Sequence, residues 1–189
     1  AEVEPTVVAQ GACGENVTWT LTDDGHVAVT GSGEMECFSF EEANRTPLFA
    51  VREQVLTASI QEGITTIGDG FCLGCESLKS VEIPASVTLI GEYAFYDCNS
   101  FTSIIIPEGI TSISRDTFSG CDSLTSIKLP DGITSIGNNA FRGCSALTSI
   151  NIPAAVTSIG YSAFQGCTGL TSFVVEEGNT MYDSRGNCN

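Results

Sequence analysis

The chain has 189 residues, with 23 acidic and 7 basic side chains and a net charge of −16, so nucleic acid and anionic membrane surfaces are unsuitable partners. No run of about 18 apolar residues is present, which predicts no membrane insertion. The length suits one elongated domain, or a cap followed by repeats. The start, Ala1-Glu-Val-Glu-Pro, is typical of a mature or trimmed chain whose signal peptide has been removed.

The first part of the chain, residues 1–54, carries no repeat and is expected to form an N-terminal cap. Residues 1–12 should be loose, because chain starts are poorly ordered unless something ties them down. Residues 36–54 are predicted to be irregular to helical and to supply four core side chains: Phe38, Phe40, Leu48 and Phe49. Cys13 and Cys37 would lie nearly opposite each other, so a disulfide between them is one option and two thiols are the other.

A β-hairpin is predicted within the cap, over residues 15–31. Apolar and polar residues alternate from Val17 to Leu21 and again from Val27 to Thr30. Asp24-Gly25 between these two runs is a strong hairpin turn. We expect the hairpin to cover the hydrophobic end of the segment that follows, with Trp19 as its main plug.

From residue 55 to residue 175 the sequence repeats with a period of 23 residues, most plainly at five positions called here the ladder cysteines: Cys75, Cys98, Cys121, Cys144 and Cys167. In one copy, Leu124, Ile127 and Leu129 have the alternation of a strand with one buried face. Pro130 then ends the strand, because proline lacks an N–H and suits a turn. A period of about 20 to 29 residues with this pattern indicates a leucine-rich-repeat solenoid.

The second half of each copy returns the chain to the next strand. Ile133 and Ile136 point inward, and Gly137 permits a tight bend. The remaining inward positions are predicted to lie on one short turn of α- or 3₁₀-helix: Ala140, Phe141 and Cys144. Only stacked coils bury enough apolar surface to offset the cost of ordering the backbone. The predicted fold is α/β, a right-handed solenoid with a parallel β-sheet on its concave face, short helical or 3₁₀ turns and an N-terminal β-hairpin cap.

The repeated phrase LTSIxIPxxVTSIGxxAFxGC resembles the BspA-like leucine-rich repeats of bacterial surface and secreted proteins. Five copies up to about Val175 follow it closely. Phe71-Cys72 stands where the other copies have Ala-Phe, and Ser114 replaces a glycine. The resemblance implies an extracellular or cell-surface location and an adhesin-like role, since some relatives bind host matrix proteins such as fibronectin and fibrinogen.

The repeat fails after Val175, and residues 176–189 are predicted to be a degenerate segment without an evident C-terminal cap. Asn179 and Tyr182 fall at two inward positions that the other copies fill with aliphatic residues. We expect the parent protein to continue beyond Asn189.

The cysteines are numerous, nine in all, but the sequence favours packing over chemistry. The ladder cysteines recur at one inward position with parallel Cβ directions, which suits buried thiols and not disulfides. Cys72-x-x-Cys75 has the spacing of a redox or zinc pair. No second such pair or histidine accompanies it, so core packing is the favoured interpretation.

No catalytic, cofactor-binding or metal-binding residue is predicted, and the protein is not expected to be an enzyme. His26 is the only histidine, and we place it in the hairpin turn as a solvated residue. That placement removes Ser-His-Asp, Cys-His and histidine-based metal arrangements from the repeats. Four acidic residues could include a glycosidase pair, although a solvated charge cluster is the favoured interpretation: Glu34, Glu36, Glu41 and Glu42.

The outward positions of the predicted strands are the candidate partner-binding site on the concave face: Ser80, Glu82, Ser103, Ile105, Ser126, Lys128, Ser149, Asn151, Ser172 and Val174. Serines fit and hydrate a crowded ladder, whereas the varied second row suits recognition of a partner. Three tyrosines on other coil edges offer a rival surface: Tyr93, Tyr96 and Tyr161.

Two functions follow from this surface and from the family resemblance. The first is a non-enzymatic, adhesin-like binding module that recognises a protein or glycan, such as an extracellular-matrix protein. The second is a structural spacer or display stalk for a functional domain outside this sequence. The negative net charge given above excludes nucleic acid as a partner, and the lack of a long apolar run predicts no membrane insertion.

Overall fold

The computed structural model describes residues 4–39 and 45–183, and its strands build a solenoid. In chain order the strands are β1 (Val7–Gly14), β2 (Val17–Thr22), β3 (His26–Gly31), β4 (Gly33–Glu34), β5 (Thr57–Ile60), β6 (Ile64–Ile67), β7 (Ser80–Glu82), β8 (Leu89–Ile90), β9 (Ser103–Ile105), β10 (Ser112–Ile113), β11 (Ser126–Lys128), β12 (Ser135–Ile136), β13 (Ser149–Ile152), β14 (Ser158–Ile159) and β15 (Ser172–Val175). Phe40, Glu41 and Glu42 of the sequence predictions lie outside the described residues.

The expectation of a loose chain start is wrong over residues 7–12, because they belong to β1 (Val7–Gly14), which pairs antiparallel with β2. Gly11 lies opposite Trp19 in this pair. A Cβ at Gly11 would lie 3.0 Å from the indole nitrogen of Trp19, so the glycine leaves room for the ring. Trp19 is buried, as expected of a plug.

The predicted hairpin is the pair of β2 and β3, and it continues directly into the repeats. β3 pairs parallel with β5, with His26 opposite Thr57 and Val27 opposite Ala58. The antiparallel cap and the parallel strands β5 and β7 of the first two coils therefore belong to one sheet. Hydrogen-bonded strands of the cap therefore cover the edge of the first coil.

Each coil contributes one strand to each of two parallel sheets. The strands on the concave side, called here the first sheet, are β5, β7, β9, β11, β13 and β15 in chain order. Parallel pairing joins β5 with β7, β9 with β11 and β13 with β15, while β7 and β9, and β11 and β13, lie side by side. The strands on the second side, called here the second sheet, form two parallel groups of three, β4–β6–β8 and β10–β12–β14. The predicted parallel sheet is confirmed. Its inward-pointing residues, such as Ile104 and Ile127, are almost wholly buried.

The third side of each coil is not the predicted helical turn. The only helix among the described residues is a 3₁₀ helix at Arg52–Gln54. The Ala-Phe segments are turns whose N–H groups bond to the next coil, as in Phe95 N–H to the Thr117 oxygen at 3.0 Å. A left-handed residue opens each turn, such as Tyr93 at φ 57° or Asp116 at φ 53°. Left-handed φ values cannot continue a right-handed helix.

A column of phenylalanines, called here the spine, fills the core between the sheets and these turns. Its members are Phe95, Phe118, Phe141 and Phe164. Neighbouring rings stack with centroids 5.4 to 5.7 Å apart and planes within 10° of each other. In the first coil Cys72 occupies the spine position, and the buried side chain of Phe71 takes the adjacent alanine position.

The degenerate segment after Val175 uses side chains where the other coils use a strand. The Asn179 amide donates to the Pro153 oxygen at 3.1 Å and to the Val156 oxygen at 2.9 Å. The Ile159 N–H donates to the Tyr182 hydroxyl at 3.0 Å. These bonds take up backbone groups that the next coil would satisfy, so the expectation that no cap is present is wrong for residues 176–183.

Candidate functional site on the concave face

The ten predicted site residues lie together on the outer side of the first sheet. Parallel pairing brings equivalent positions into register, with Ser126 opposite Ser103, Lys128 opposite Ile105 and Asn151 opposite Val174. Nine of them are exposed, and Ser172 is half-buried. They form a serine row and a varied row that run across the coils at the spacing of sheet strands, about 4.8 Å per step.

The middle of the varied row has a distinct chemistry. Ile105 is 85% exposed, the most exposed large hydrophobic residue in the described chain. Lys128 lies beside it on one neighbouring strand and Glu82 on the other. A bare aliphatic side chain therefore stands between a carboxylate and an ammonium group, within reach of a single partner side chain and its neighbours.

The C-terminal end of the varied row is less available. The Asn151 amide donates to a Glu176 carboxylate oxygen at 2.5 Å, and the other oxygen of Glu176 accepts the Ala154 N–H at 3.2 Å. Asn151 is thus held by the capping segment. Val174 next to it remains 46% exposed, so the apolar positions of the row lie at its centre and at this end.

His26 extends the concave face and was misplaced by the sequence prediction. It begins β3, and its Nδ1 lies 2.8 Å from the Thr57 hydroxyl and its Nε2 2.9 Å from the Ser59 hydroxyl. The sequence could have predicted this position from the alternation of the strand. Because Val27 and Val29 are buried, the side chain of His26 must point outward.

The contact of His26 with Ser59 has the base–nucleophile distance of a serine hydrolase. The second ring nitrogen, however, meets the Thr57 hydroxyl. A hydroxyl supplies no negative charge to stabilise an imidazolium, which is the task of the carboxylate in a catalytic triad. The three side chains form a hydrogen-bonded polar corner of the concave face.

The ladder cysteines are packed as predicted over four of the five positions. Cys75, Cys98, Cys121 and Cys144 are wholly buried, and burial is the main cause that raises the pKa of Cys121. Cys167 departs from the prediction, because it is only half-buried at the last coil. A hydrogen bond with the Cys144 thiol lowers the pKa of Cys167 and raises that of Cys144.

The cap cysteines and possible metal ligands were the remaining candidates for a reactive site. Cys13 and Cys37 are thiols in this structure, as are Cys72 and Cys75, and no disulfide joins them. Burial, helped by the nearby charge of Glu36, raises the pKa of Cys13 to about 12. Among residues 4–39 and 45–183, no cluster of three or more His, Cys, Asp or Glu side chains could hold a metal ion. None of the helices described there is both long and apolar enough to cross a membrane.

The rival tyrosine surface is split into two parts. Tyr93 and Tyr96 are half-buried with ring centroids 5.8 Å apart, and desolvation raises the pKa of both. The Arg115 guanidinium lies 5.5 Å from the Tyr93 ring centroid and 3.1 Å from the Asp116 carboxylate. Tyr161 stands apart at 83% exposure. The first pair is committed to structural contacts, which leaves a single free aromatic side chain on this edge.

Parallel strands at a 23-residue period, joined by tight turns around a phenylalanine and cysteine core, define the leucine-rich-repeat class of solenoid proteins. The chain belongs to the BspA type leucine rich repeat family, which matches residues 47–185 with six copies. The five close copies counted in the sequence are thus joined by one more degenerate copy. No curated protein is similar enough in sequence to match.

Three solved bacterial structures illustrate the relationship. A leucine-rich repeat protein from Bacteroides ovatus is 34% identical with a TM-score of 0.62, over 84% of this chain and 39% of its own. A leucine rich cell surface protein from Faecalibacterium prausnitzii is 26% identical with a TM-score of 0.60, over 99% and 58%. A leucine-rich repeat protein from T. pallidum is 27% identical with a TM-score of 0.66, over 89% and 82%. The chain therefore spans less than two thirds of the first two relatives.

Proposed function

We propose that this chain is a non-enzymatic, adhesin-like binding module, secreted or displayed on a bacterial surface, that recognises an extracellular protein or glycan through its concave face. The family and the similarity to a protein described as a cell surface protein support the location. The exposure of Ile105 in the middle of the concave face carries the choice of site.

The energetic argument starts from Ile105. Covering a fully exposed isoleucine contributes about 1.5–3 kcal/mol to binding, enough for one side chain to anchor a contact. The charges of Glu82 and Lys128 on either side select a partner whose own charges are arranged in the opposite order. The serine row beside them has short side chains, so a flat partner surface can approach the sheet closely.

A binding screen tests the proposal with immobilised extracellular-matrix proteins and a glycan array. The screen compares the wild-type chain with a variant in which Glu82, Ile105, Lys128 and Asn151 are all changed to serine. Leu89→Ser is the matched control, because Leu89 is 44% exposed but lies on the second sheet. We expect the quadruple variant to lose the wild-type ligands and the control to keep them. Unchanged binding by the quadruple variant would move the site to the edge that carries Tyr161.

A spacer or display stalk is the second candidate, favoured by the regular ladders of hydroxyl groups. Thr125 donates to the Thr102 oxygen at 3.3 Å, Thr148 to the Thr125 oxygen at 3.4 Å and Thr171 to the Thr148 oxygen at 3.3 Å. Such bonds stiffen the stack of coils and take no part in ligand recognition. If the binding screen finds no ligand even for a longer form of the protein, the spacer function is supported. If the purified chain turns over a substrate, both proposed functions are wrong.

A further inference from the structure

The turn from Cys72 to Cys75 differs from the same turn in each later coil that the structure describes. In those coils the turn begins with a spine phenylalanine and ends with a ladder cysteine, as in Phe95 and Cys98. Here a cysteine replaces the phenylalanine, and Phe71 fills the core next to it. Two thiols therefore stand at the two ends of one tight turn, and both are wholly buried.

The geometry of this turn brings the two cysteines within bonding range. The Cys75 N–H donates to the Cys72 oxygen at 3.1 Å, and Gly74 between them has a left-handed φ of 71°. A four-residue turn closed in this way holds its end Cα atoms less than about 7 Å apart. Disulfides join Cα atoms about 4.4 to 6.8 Å apart. The two thiols also hydrogen-bond to each other, and that contact together with burial raises the pKa of Cys72.

We propose that Cys72 and Cys75 form an intrachain disulfide when the protein folds in an oxidising compartment, such as the cell exterior proposed above. One cysteine thiolate attacks a small-molecule disulfide, for example oxidised glutathione, and expels one glutathione thiolate. The second cysteine loses its proton, attacks the mixed disulfide and expels the second glutathione thiolate. The two cysteines are oxidised, the glutathione disulfide is reduced, and the two protons end on the two glutathione thiols.

The neighbouring thiols are poorer partners for either cysteine. The Cys98 thiol donates to the Cys72 oxygen at 3.3 Å, a contact that the proposed bond leaves intact because it uses the carbonyl and not the sulfur. Cys144 and Cys167 also share a hydrogen bond, but they lie on successive coils with parallel Cβ directions. Among the described coils, only the first has a cysteine at both ends of this turn.

The cross-link closes the first coil, where the cap meets the array. Since both sulfurs are inaccessible in the native coil, the exchange takes place before the coil closes. The bond involves no residue of the concave rows. Failure to find it leaves the binding proposal standing, and failure of the binding screen leaves the cross-link standing.

Thiol mapping tests the proposal. The purified chain is refolded in a mixture of reduced and oxidised glutathione, alkylated in denaturant, and mapped by peptide mass spectrometry before and after reduction. Two of the nine cysteines, Cys72 and Cys75, are expected to escape alkylation until reductant is added. Refolding with reductant alone should leave every cysteine open to alkylation.

The matched control is a double variant, Phe71→Ala with Cys72→Phe, which gives the turn the Ala-Phe sequence of the other coils. This variant should fold and show full alkylation of its remaining cysteines. Cys75→Ala provides the same reading if the double variant does not fold. Alkylation of both Cys72 and Cys75 in oxidatively refolded wild-type protein overturns the proposal. So does a protected pair at Cys13 and Cys37, or at Cys144 and Cys167, with the turn left reduced.

Discussion

The Cys121 thiol donates a hydrogen bond to the Phe95 carbonyl oxygen of the preceding coil, 3.2 Å away. The same bond recurs along the stack, from Cys98 to Cys72, from Cys144 to Phe118 and from Cys167 to Phe141. The ladder cysteine is therefore more than a small apolar filler. It donates a second hydrogen bond to a carbonyl oxygen of the preceding coil that already accepts a backbone N–H, such as Cys98 N–H to the Phe95 oxygen at 3.4 Å. This contact distinguishes a thiol from an alanine at the same position.

Replacing Cys121 by alanine should lower the free energy of unfolding by about 1–2 kcal/mol, because the variant loses a buried donor and part of a packed side chain. Ser126→Ala, on the exposed concave side, should change it by less than about 0.5 kcal/mol. Urea unfolding of both variants measures the difference. Equal losses would show that the thiol bond adds nothing to stability.

Thiol labelling without denaturant should distinguish Cys167 from Cys121. Cys167 is half-buried, and the hydrogen bond with Cys144 lowers its pKa, so its reactive thiolate persists at lower pH than that of an ordinary cysteine. Burial raises the pKa of Cys121 and shields it from reagent. Mass mapping should find Cys167 labelled before Cys121 at every pH tested. Labelling of Cys121 at a comparable rate would contradict the closed core.

Stability should depend on pH through Asp97. Burial raises the pKa of its carboxyl group, and the nearby Glu76 and Asp122 raise it further. The folded chain thus favours the protonated form, so Asp97 adds stability at low pH that is lost as the pH rises through this raised pKa. Above it, the charged carboxylate destabilises the fold.

Asp97→Asn removes that charge and keeps a residue that tolerates the left-handed φ of 54°. It should raise the free energy of unfolding at neutral pH by a few tenths of a kcal/mol, because solvent screens a partly exposed carboxylate. The gain should vanish near about pH 3, where an aspartate is largely protonated. Urea unfolding at the two pH values measures it, and Asp131→Asn in the exposed turn is the control. A gain of the same size at both pH values would rule out the charge as its cause.

The capping role of Asn179 gives a local prediction. Its amide bonds to the Pro153 and Val156 carbonyls, and its side-chain oxygen accepts two N–H groups of the following turn. Asn179→Ala should therefore destabilise the last coil by about 1–3 kcal/mol. Hydrogen exchange should show faster exchange over β13, β14 and β15 and no change near the cap. Thr180→Ala, an exposed neighbour, should leave exchange unchanged, and an equal effect of both variants would refute the cap.

The 23-residue register sufficed to predict the strands of the first sheet and their order, but not the short strands of the second sheet, such as Ser135–Ile136. Inward positions such as Ile127 and Ile150 recur at one place in every copy, and a shift of one residue would expose all of them. The phenylalanine spine and the buried ladder followed from the same register. The concave rows could be listed for the same reason, because the positions between buried strand residues must point outward.

The sequence alone could not exclude a helical turn at the Ala-Phe segments. What prevents a helix there is the backbone conformation of the residue that opens each turn. Tyr93 and Asp116 adopt left-handed φ values that glycine usually takes. A tyrosine in the sequence does not predict a left-handed backbone conformation. It becomes evident only from the hydrogen bonds that the turn makes with the next coil, such as Tyr93 N–H to the Arg115 oxygen at 3.1 Å.

The sequence also did not predict how the cap joins the repeats. Strand β1 contains Gly11 and Gly14 and has no partner pattern at the 23-residue period, so it resembled a loose start. Placing His26 in the turn hid its contacts with Thr57 and Ser59, more than 30 residues later. Pairing of β3 with β5 is a long-range contact that no local pattern encodes.

The affinity of Ile105→Ser for a matrix protein or glycan retained in the screen tests the central claim most directly. Isothermal titration calorimetry compares it with wild type and with Leu89→Ser. The account predicts that Ile105→Ser weakens binding by about tenfold or more, as loss of an anchor residue does, while Leu89→Ser binds like wild type. Wild-type affinity in Ile105→Ser, or an equal loss in Leu89→Ser, would contradict recognition through the concave face.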